Sequence, residues 1–125
     1  MRRSTIDIQN QARRLKILCV DDSPYNLIVM KELLAHADGL DVKLKTALNG
    51  MQALEVILKA AERKQHEYEK EFDFIFLDIN MPILDGFETA KELRKMGDER
   101  VINISATKIV ALSAITSDQF YQNDE

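Results

Sequence analysis

The sequence is poor in the residues that build disulfides, zinc sites and phosphate loops. It has one cysteine, Cys19, which cannot close an internal disulfide. Cys19 sits inside an apolar run, so it reads as a small buried hydrophobe and not as a reactive thiol. The two histidines, His36 and His66, fall in helical stretches with no partner pattern and are expected at surface or boundary positions. No Cys/His cluster has zinc-site spacing. Neither GxxxxGK[ST] nor GxGxxG occurs. Positive charge is not in excess: 17 Lys and Arg against 21 Asp and Glu leave a net charge of −4. That balance argues against nucleic acid or an anionic membrane as the main partner. No apolar run approaches the ~20 residues of a membrane span. The opening "MRRSTIDIQNQARR" lacks the hydrophobic stretch of a signal peptide, so a cytoplasmic setting is expected. The sequon Asn103-Ile104-Ser105 then carries no glycan meaning.

What is present suits one globular domain: 125 residues, 46% hydrophobic and 30% charged. Residues 1–14 are polar and basic and read as a linker or lead-in to a domain over 15–125. "LKILCV" (15–20) is continuously apolar, as expected of a strand buried on both faces. Ser23 then offers an N-cap and Pro24 a first helical residue. Leu27, Met30, Leu34 and Ala37 recur at helical spacing, and Gly39 follows as a stop. In "DVKLKTA" (41–47), Val42, Leu44 and Thr46 alternate with Lys43 and Lys45. That is the pattern of a strand near a sheet edge, where lysines discourage further pairing. The next helix carries Met51, Leu54, Ile57, Leu58 and Ala61 as its apolar stripe. From Glu62 to Glu71 the stripe fades into mixed charge, either an exposed helical extension or an insertion. "FDFIFLD" (72–78) is a third strand and "KIVALSA" (108–114) a fourth. Between them "GFETAKELRKMG" (86–97) is a helix with Phe87, Ala90, Leu93 and Met96 inward. "ITSDQFYQNDE" is compatible with one more helix. Strands alternating with helices imply a parallel sheet with right-handed crossovers.

Such sheets bind ligands outside the carboxyl ends of their strands. Asp21 and Asp22 follow the first strand, Asp78 ends the third, and Ser113 lies at the end of the fourth. With these strands as neighbours, the four residues converge. Three crowded carboxylates repel one another unless a cation shares the site. Donors that are all oxygen favour Mg²⁺ over zinc or copper. A carboxylate in that setting can act as a phosphoryl acceptor, and the Ser113 hydroxyl could hydrogen-bond a phosphoryl oxygen. Taken alone, Asp21 and Asp22 could also simply precede the Ser23 cap. Asp85, before Gly86, reads instead as a loop or cap residue.

The segments "ILCVDDSPYNLIVMKELL", "FIFLDINMPILDGFE" and "IVALSA", in that order, resemble the receiver domain of two-component response regulators over Leu15 to Ser117. The resemblance implies a flavodoxin-like (CheY-like) α/β fold, a doubly wound parallel sheet of strand order 2-1-3-4-5. It implies Asp78 as phosphoacceptor, Asp21, Asp22 and Asp78 as Mg²⁺ ligands, and Asn80 as a further ligand through its backbone carbonyl. It makes Ser113 the switch hydroxyl and Ala114 the small residue beside the phosphoryl group. The phosphoryl donor would be a histidine kinase or a histidine phosphotransfer domain, and the chain a signalling module, not an enzyme with turnover. "DDSPYNLIVMKELL", with Pro24, Asn26 and Val29, is most similar to receivers fused to hybrid sensor histidine kinases.

The family's lysine at the end of a fifth strand has no counterpart, so the sequence reads as truncated before the fifth strand and helix. Lys16 and Lys108 lie at the amino ends of their strands, about 15 Å from the site at the rise of an extended chain. The fourth strand is then expected to be an open, association-prone edge. Two readings follow: a fragment of a complete phosphorelay receiver, or a pseudo-receiver that binds a partner without phosphorylation. A dehalogenase-like phosphatase would need a second Asp where Asn80 stands.

Overall fold

The structure is a computed structural model and describes residues 14–66, 69–79, 81 and 84–112. Its elements alternate: β1 (Arg14–Val20), α1 (Pro24–Ala35), β2 (Asp41–Ala47), α2 (Gly50–Arg63), β3 (Phe74–Asp78), α3 (Gly86–Asp98) and β4 (Lys108–Leu112). All described strand pairs are parallel, in the order β2-β1-β3-β4. This is the order implied by the resemblance, as far as the described strands go. Residues 1–13 and 113–125, including the helix read over "ITSDQFYQNDE", lie outside the described residues.

β1 runs between β2 and β3, which explains its unbroken apolar run. Ile17 to Val20 are all buried. Leu18 and Val20 join Ala53 and Ile57 of α2 and Leu93 of α3 in one core cluster. Ile17 and Cys19 point the other way, into a second cluster with Leu27 of α1. The sheet is therefore covered on both faces, and each face buries alternate residues of the same strand. β2 alternates as read: Val42 and Leu44 are half-buried and pack on the α1 side, while Lys43 and Lys45 are exposed.

Leu54, Ile57, Ala61, Ala90, Leu93 and Met96 pack on the core as read, but the first turns of two helices differ from expectation. Met51 was expected inward on α2 but is 49% exposed; Gly50, Ala53 and Ile57 face the core. Phe87 was expected inward on α3 but is 66% exposed; Gly86, Thr89 and Leu93 are the buried residues. A long-range contact crowds the start of α2. Gly50 lies against Thr89 and the Leu84 carbonyl, and a Cβ there would come within 2.8 Å of that oxygen. Only a residue without a side chain fits there, and with Gly50 inward the next residue, Met51, faces outward. Gly86 is likewise inward, against the Asp78 backbone, and Phe87 follows it outward.

The charged stretch after α2 is a packed return segment and not a helical extension. α2 ends at Arg63. Glu71 is buried, pairs with Lys64, and accepts the Asn103 backbone N–H at 3.0 Å. Asp73 staples β1 to the same segment: its carboxylate accepts the Lys16 N–H at 2.8 Å, and its own N–H donates to the Lys16 carbonyl at 2.7 Å. Lys70 adds an ammonium 2.8 Å away. Burial pushes the Asp73 carboxyl up, but the Lys16 N–H and the Lys70 ammonium outweigh it, and its pKa lies below the usual value. The charged form is thus favoured on folding. Its stabilisation is complete above the ordinary carboxylate range and is lost as pH falls through the lowered value. Replacing Asp73 with Ala removes hydrogen bonds to a charged group, worth about 1.5–3 kcal/mol at pH 7. Urea unfolding at pH 7 and at about pH 3 should show the gap between wild type and Asp73→Ala narrowing in acid.

Candidate metal and phosphoryl site

Parallel neighbours end at the same edge of a sheet. Val20 of β1 pairs with Leu77 of β3, so the next residues, Asp21 and Asp78, emerge side by side. Asp22 follows on the same turn. One carboxylate oxygen from each of Asp21, Asp22 and Asp78 lies within 4.8 Å of the other two. Asp21 and Asp78 are half-buried and Asp22 is exposed, so the cluster has a solvent-facing side.

Local chain chemistry fixes Asp21. Its Oδ1 accepts the Ser23 N–H at 2.9 Å and its Oδ2 accepts from the Asn26 side-chain amide at 3.2 Å. Its own N–H donates to the Ala47 carbonyl at 3.1 Å, tying it to the end of β2. Ser23 is the N-cap of α1 and accepts the Asn26 N–H at 3.3 Å, with Pro24 opening the helix as read. Asn26 therefore serves the cap and the carboxylate together. The sequence reading used Asn26 only to sort subfamilies; its position five residues beyond Asp21, one turn into a capped helix, was the available signal for this role.

β3 is held at the other side. Gly86 donates its N–H to the Ile79 carbonyl at 3.1 Å and closes the loop that follows Asp78. A Cβ on Gly86 would lie 2.6 Å from the Asp78 carbonyl oxygen and 2.8 Å from the Ile79 Cα, so α3 rests directly on the backbone of the acidic strand end. Asp85 is the N-cap of α3 and accepts the Glu88 N–H at 2.8 Å, the structural role expected of it. Ile79 also donates to the Leu112 carbonyl at 2.9 Å, which brings the end of β4 to the same edge. Ser113, Ala114 and Asn80 lie outside the described residues. Lys108 begins β4 and Lys16 is the third residue of β1, both toward the end of the sheet away from the cluster.

The donor set is carboxylate oxygen only, open to water through Asp22. Two unit charges about 4 Å apart near a protein surface interact by roughly 4 kcal/mol, so three carboxylates together favour a cation. This arrangement fits a small hard ion that retains several waters, such as Mg²⁺. It does not fit a soft metal. The thiol of Cys19, two residues before Asp21, is buried, and burial together with the Asp21 charge raises its pKa to about 11, which keeps it protonated.

Residues 17–122 match the family described as the response regulator receiver domain. The chain belongs to that family. Among its relatives, hybrid signal transduction histidine kinase E of Dictyostelium discoideum is 41% identical over 109 residues, which are 87% of this chain and 6% of that protein. Hybrid signal transduction histidine kinase A of the same organism is 37% identical over 121 residues, 97% of this chain and 5% of that protein. This receiver domain thus spans about a twentieth of the length of these relatives. Among solved structures, the response regulator TrrA of Thermotoga maritima, in complex with Mg²⁺-BeF, is 31% identical with a TM-score of 0.60, covering 88% of this chain and 76% of that one. Among the described residues, no helix of the receiver domain is long and apolar enough to cross a membrane.

The close approach at Gly86 generates an expected outcome. Gly86→Ala places a methyl group against backbone that cannot swing aside, and overpacking of this kind costs about 1–3 kcal/mol. The variant should unfold at lower urea concentration. Its amide spectrum should change at Asp78 and Ile79 more than at Asp21, because the intrusion is on the β3 side.

Proposed function

We propose that this receiver domain accepts a phosphoryl group on Asp78, with Mg²⁺ held by Asp21, Asp22, Asp78 and the backbone carbonyl of Asn80. The observation that carries the reading is the meeting of three carboxylates from two parallel strand ends within 4.8 Å. When bound, Mg²⁺ supplies positive charge that offsets the charge on a transferring phosphoryl group. The protein's own part is positional. A carboxylate oxygen of Asp78 attacks the phosphorus of a phosphohistidine; an O–P bond forms as the N–P bond breaks, and the leaving imidazole keeps the electron pair and takes up a proton. Ser23 and Asn26 keep Asp21 aimed at the site while this happens. Ser113 would hydrogen-bond a phosphoryl oxygen, and Ala114 would leave room for it.

The donor is a histidine kinase or a histidine phosphotransfer domain, and the domain acts as a signalling module within a longer kinase-type protein. Two things support this. The relatives it matches closely in sequence are hybrid histidine kinases. Large apolar side chains are also exposed around the acidic edge: Tyr25 and Ile28 on α1, Leu48 next to Ala47, and Phe87 next to Gly86. An apolar, partly aromatic rim around charged chemistry is the composition of a docking surface.

The reading is tested by mass and by metal titration. Incubation with Mg²⁺ and a phosphorylated histidine domain should add one phosphoryl group to the intact chain, and none to Asp78→Ala. An adduct that persists in Asp78→Ala would assign the acceptor elsewhere, and no adduct in any condition would leave a partner-binding module without phosphorylation. Asp22→Asn should weaken Mg²⁺ binding about tenfold or more, equivalent to at least ~1.4 kcal/mol. Equal affinity in wild type and variant would remove Asp22 from the ligand set.

A further inference from the structure

The acidic cluster marks one end of the sheet; the opposite end is basic. A cavity of about 190 Å³ opens there, between the early residues of β1 and β2, the last turn of α2 and the segment that leads into β3. Among the described residues, six cationic side chains line it against two carboxylates, Glu69 and Glu71. The carboxylates are already engaged. Lys16 lies 3.7 Å from Glu69 and also donates to the Lys70 carbonyl at 3.1 Å. Lys64 pairs with the buried Glu71. Lys70 turns to Asp73, 2.8 Å away. Lys43, Lys45 and Arg63 remain, and among the described residues no ion pair reaches them.

Each of the three has a separate ordinary explanation. Lysines on an edge strand discourage pairing, and an arginine at a helix C-terminus meets the negative end of the helix dipole. Neither accounts for their convergence. Lys43 and Lys45 stand two apart on β2, hence on one face, the face whose Ala47 packs under α2. Arg63 ends that same helix. Three exposed cationic residues from two elements thus line one recess in a chain of net charge −4. A bound anion would offset the repulsion.

We propose that this recess binds a small, multiply charged phosphate-bearing anion through Lys43, Lys45 and Arg63. Arg63 offers the planar fork that matches phosphate oxygens, and the two lysines act as point charges. The volume is below the roughly 300–1,000 Å³ of a pocket for a drug-sized molecule, so the recess suits one or two phosphate groups and not a whole polymer face. The recess lies apart from the carboxylate cluster: Lys45, its ligand furthest along β2, pairs with Leu18, three residues or about 10 Å before Asp21 at the rise of an extended strand, and Lys43 is further back.

The test is titration of the full 125-residue chain with inorganic pyrophosphate, free of Mg²⁺ and at low ionic strength, by calorimetry and by amide spectra. Saturable binding is expected, with the largest shifts at Lys43, Lys45 and Arg63. Replacing these three with Gln together should weaken it about tenfold or more, and raised salt should weaken it in the wild type. Lys31→Gln, which removes an exposed cation on α1, should leave it unchanged. The wild-type shift map decides the matter even if the triple variant folds poorly. The proposal is overturned if pyrophosphate does not saturate, if the shifts fall elsewhere, if the triple variant binds as well as wild type, or if an oligo-glutamate peptide binds where pyrophosphate does not.

Discussion

The acidic edge exists because β1 and β3 are adjacent and parallel. Reverse one strand, and Asp78 would lie at the opposite end of the sheet from Asp21. The pairing of Val20 with Leu77 then decides which residues meet beyond the strands. That register is held by apolar burial. Leu18, Val20, Ile75 and Leu77 occupy one core cluster, while Ile17 and Cys19, with Phe74 and Phe76 packed against them, lie in the other. A slip of one residue would exchange the two sets and move the larger phenylalanines into a layer sized for leucine and isoleucine. The site is therefore specified by hydrophobic packing several residues away from any charged group.

Two glycines bring the helices to this edge. Gly86 lets α3 rest on the Asp78 backbone, and Gly50 lets α2 rest on Thr89 of α3. In each helix a glycine takes the inward place at the first position. Met51 and Phe87 face solvent as a consequence. Phe87 then joins an apolar rim beside the carboxylates, so a packing constraint inside the domain shapes the surface that a partner would meet.

This is also where reading the sequence succeeded and failed. Strands were legible because β1 is apolar throughout and β2 alternates, and those patterns depend only on which faces of a strand are covered. Ser23 and Asp85 were legible as caps because capping is local. The meeting of Asp21, Asp22 and Asp78 followed from strand order and the rule for parallel sheets. Helix phase was legible along the bodies of α2 and α3, where Leu54, Ile57, Ala61, Ala90, Leu93 and Met96 pack on the core as read, but not at their first residues. Gly50 and Gly86 carry no hydrophobic signal, yet they face inward, while Met51 and Phe87 carry a strong one and face outward. Glu71 was misplaced for a related reason: its burial depends on Lys64 and on the Asn103 N–H, a partner 32 positions away. Asn26 was visible but unassigned, because its bond to Asp21 depends on the first turn of α1 beginning just after the acidic pair.

The three carboxylates are not equivalent, and their differences suit an ion that must arrive and leave. Asp21 has both oxygens hydrogen-bonded by the turn and the helix that follow it, so its orientation is set before any cation is present. Asp78 is placed by the last pair of the sheet and by the glycine behind it. Asp22 is the exposed member. Two groups are thus preorganised on rigid elements, and the third stands at the solvent side, where water exchange is unobstructed. Mg²⁺ keeps part of its hydration shell when it binds, so a fully enclosed cage of three carboxylates would suit it poorly. The open side is the approach that the proposed phosphoryl transfer would use, and the exposed Tyr25 and Ile28 follow in the first turns of α1. Charge, access and docking surface at this edge all trace back to where β1 stops and α1 begins.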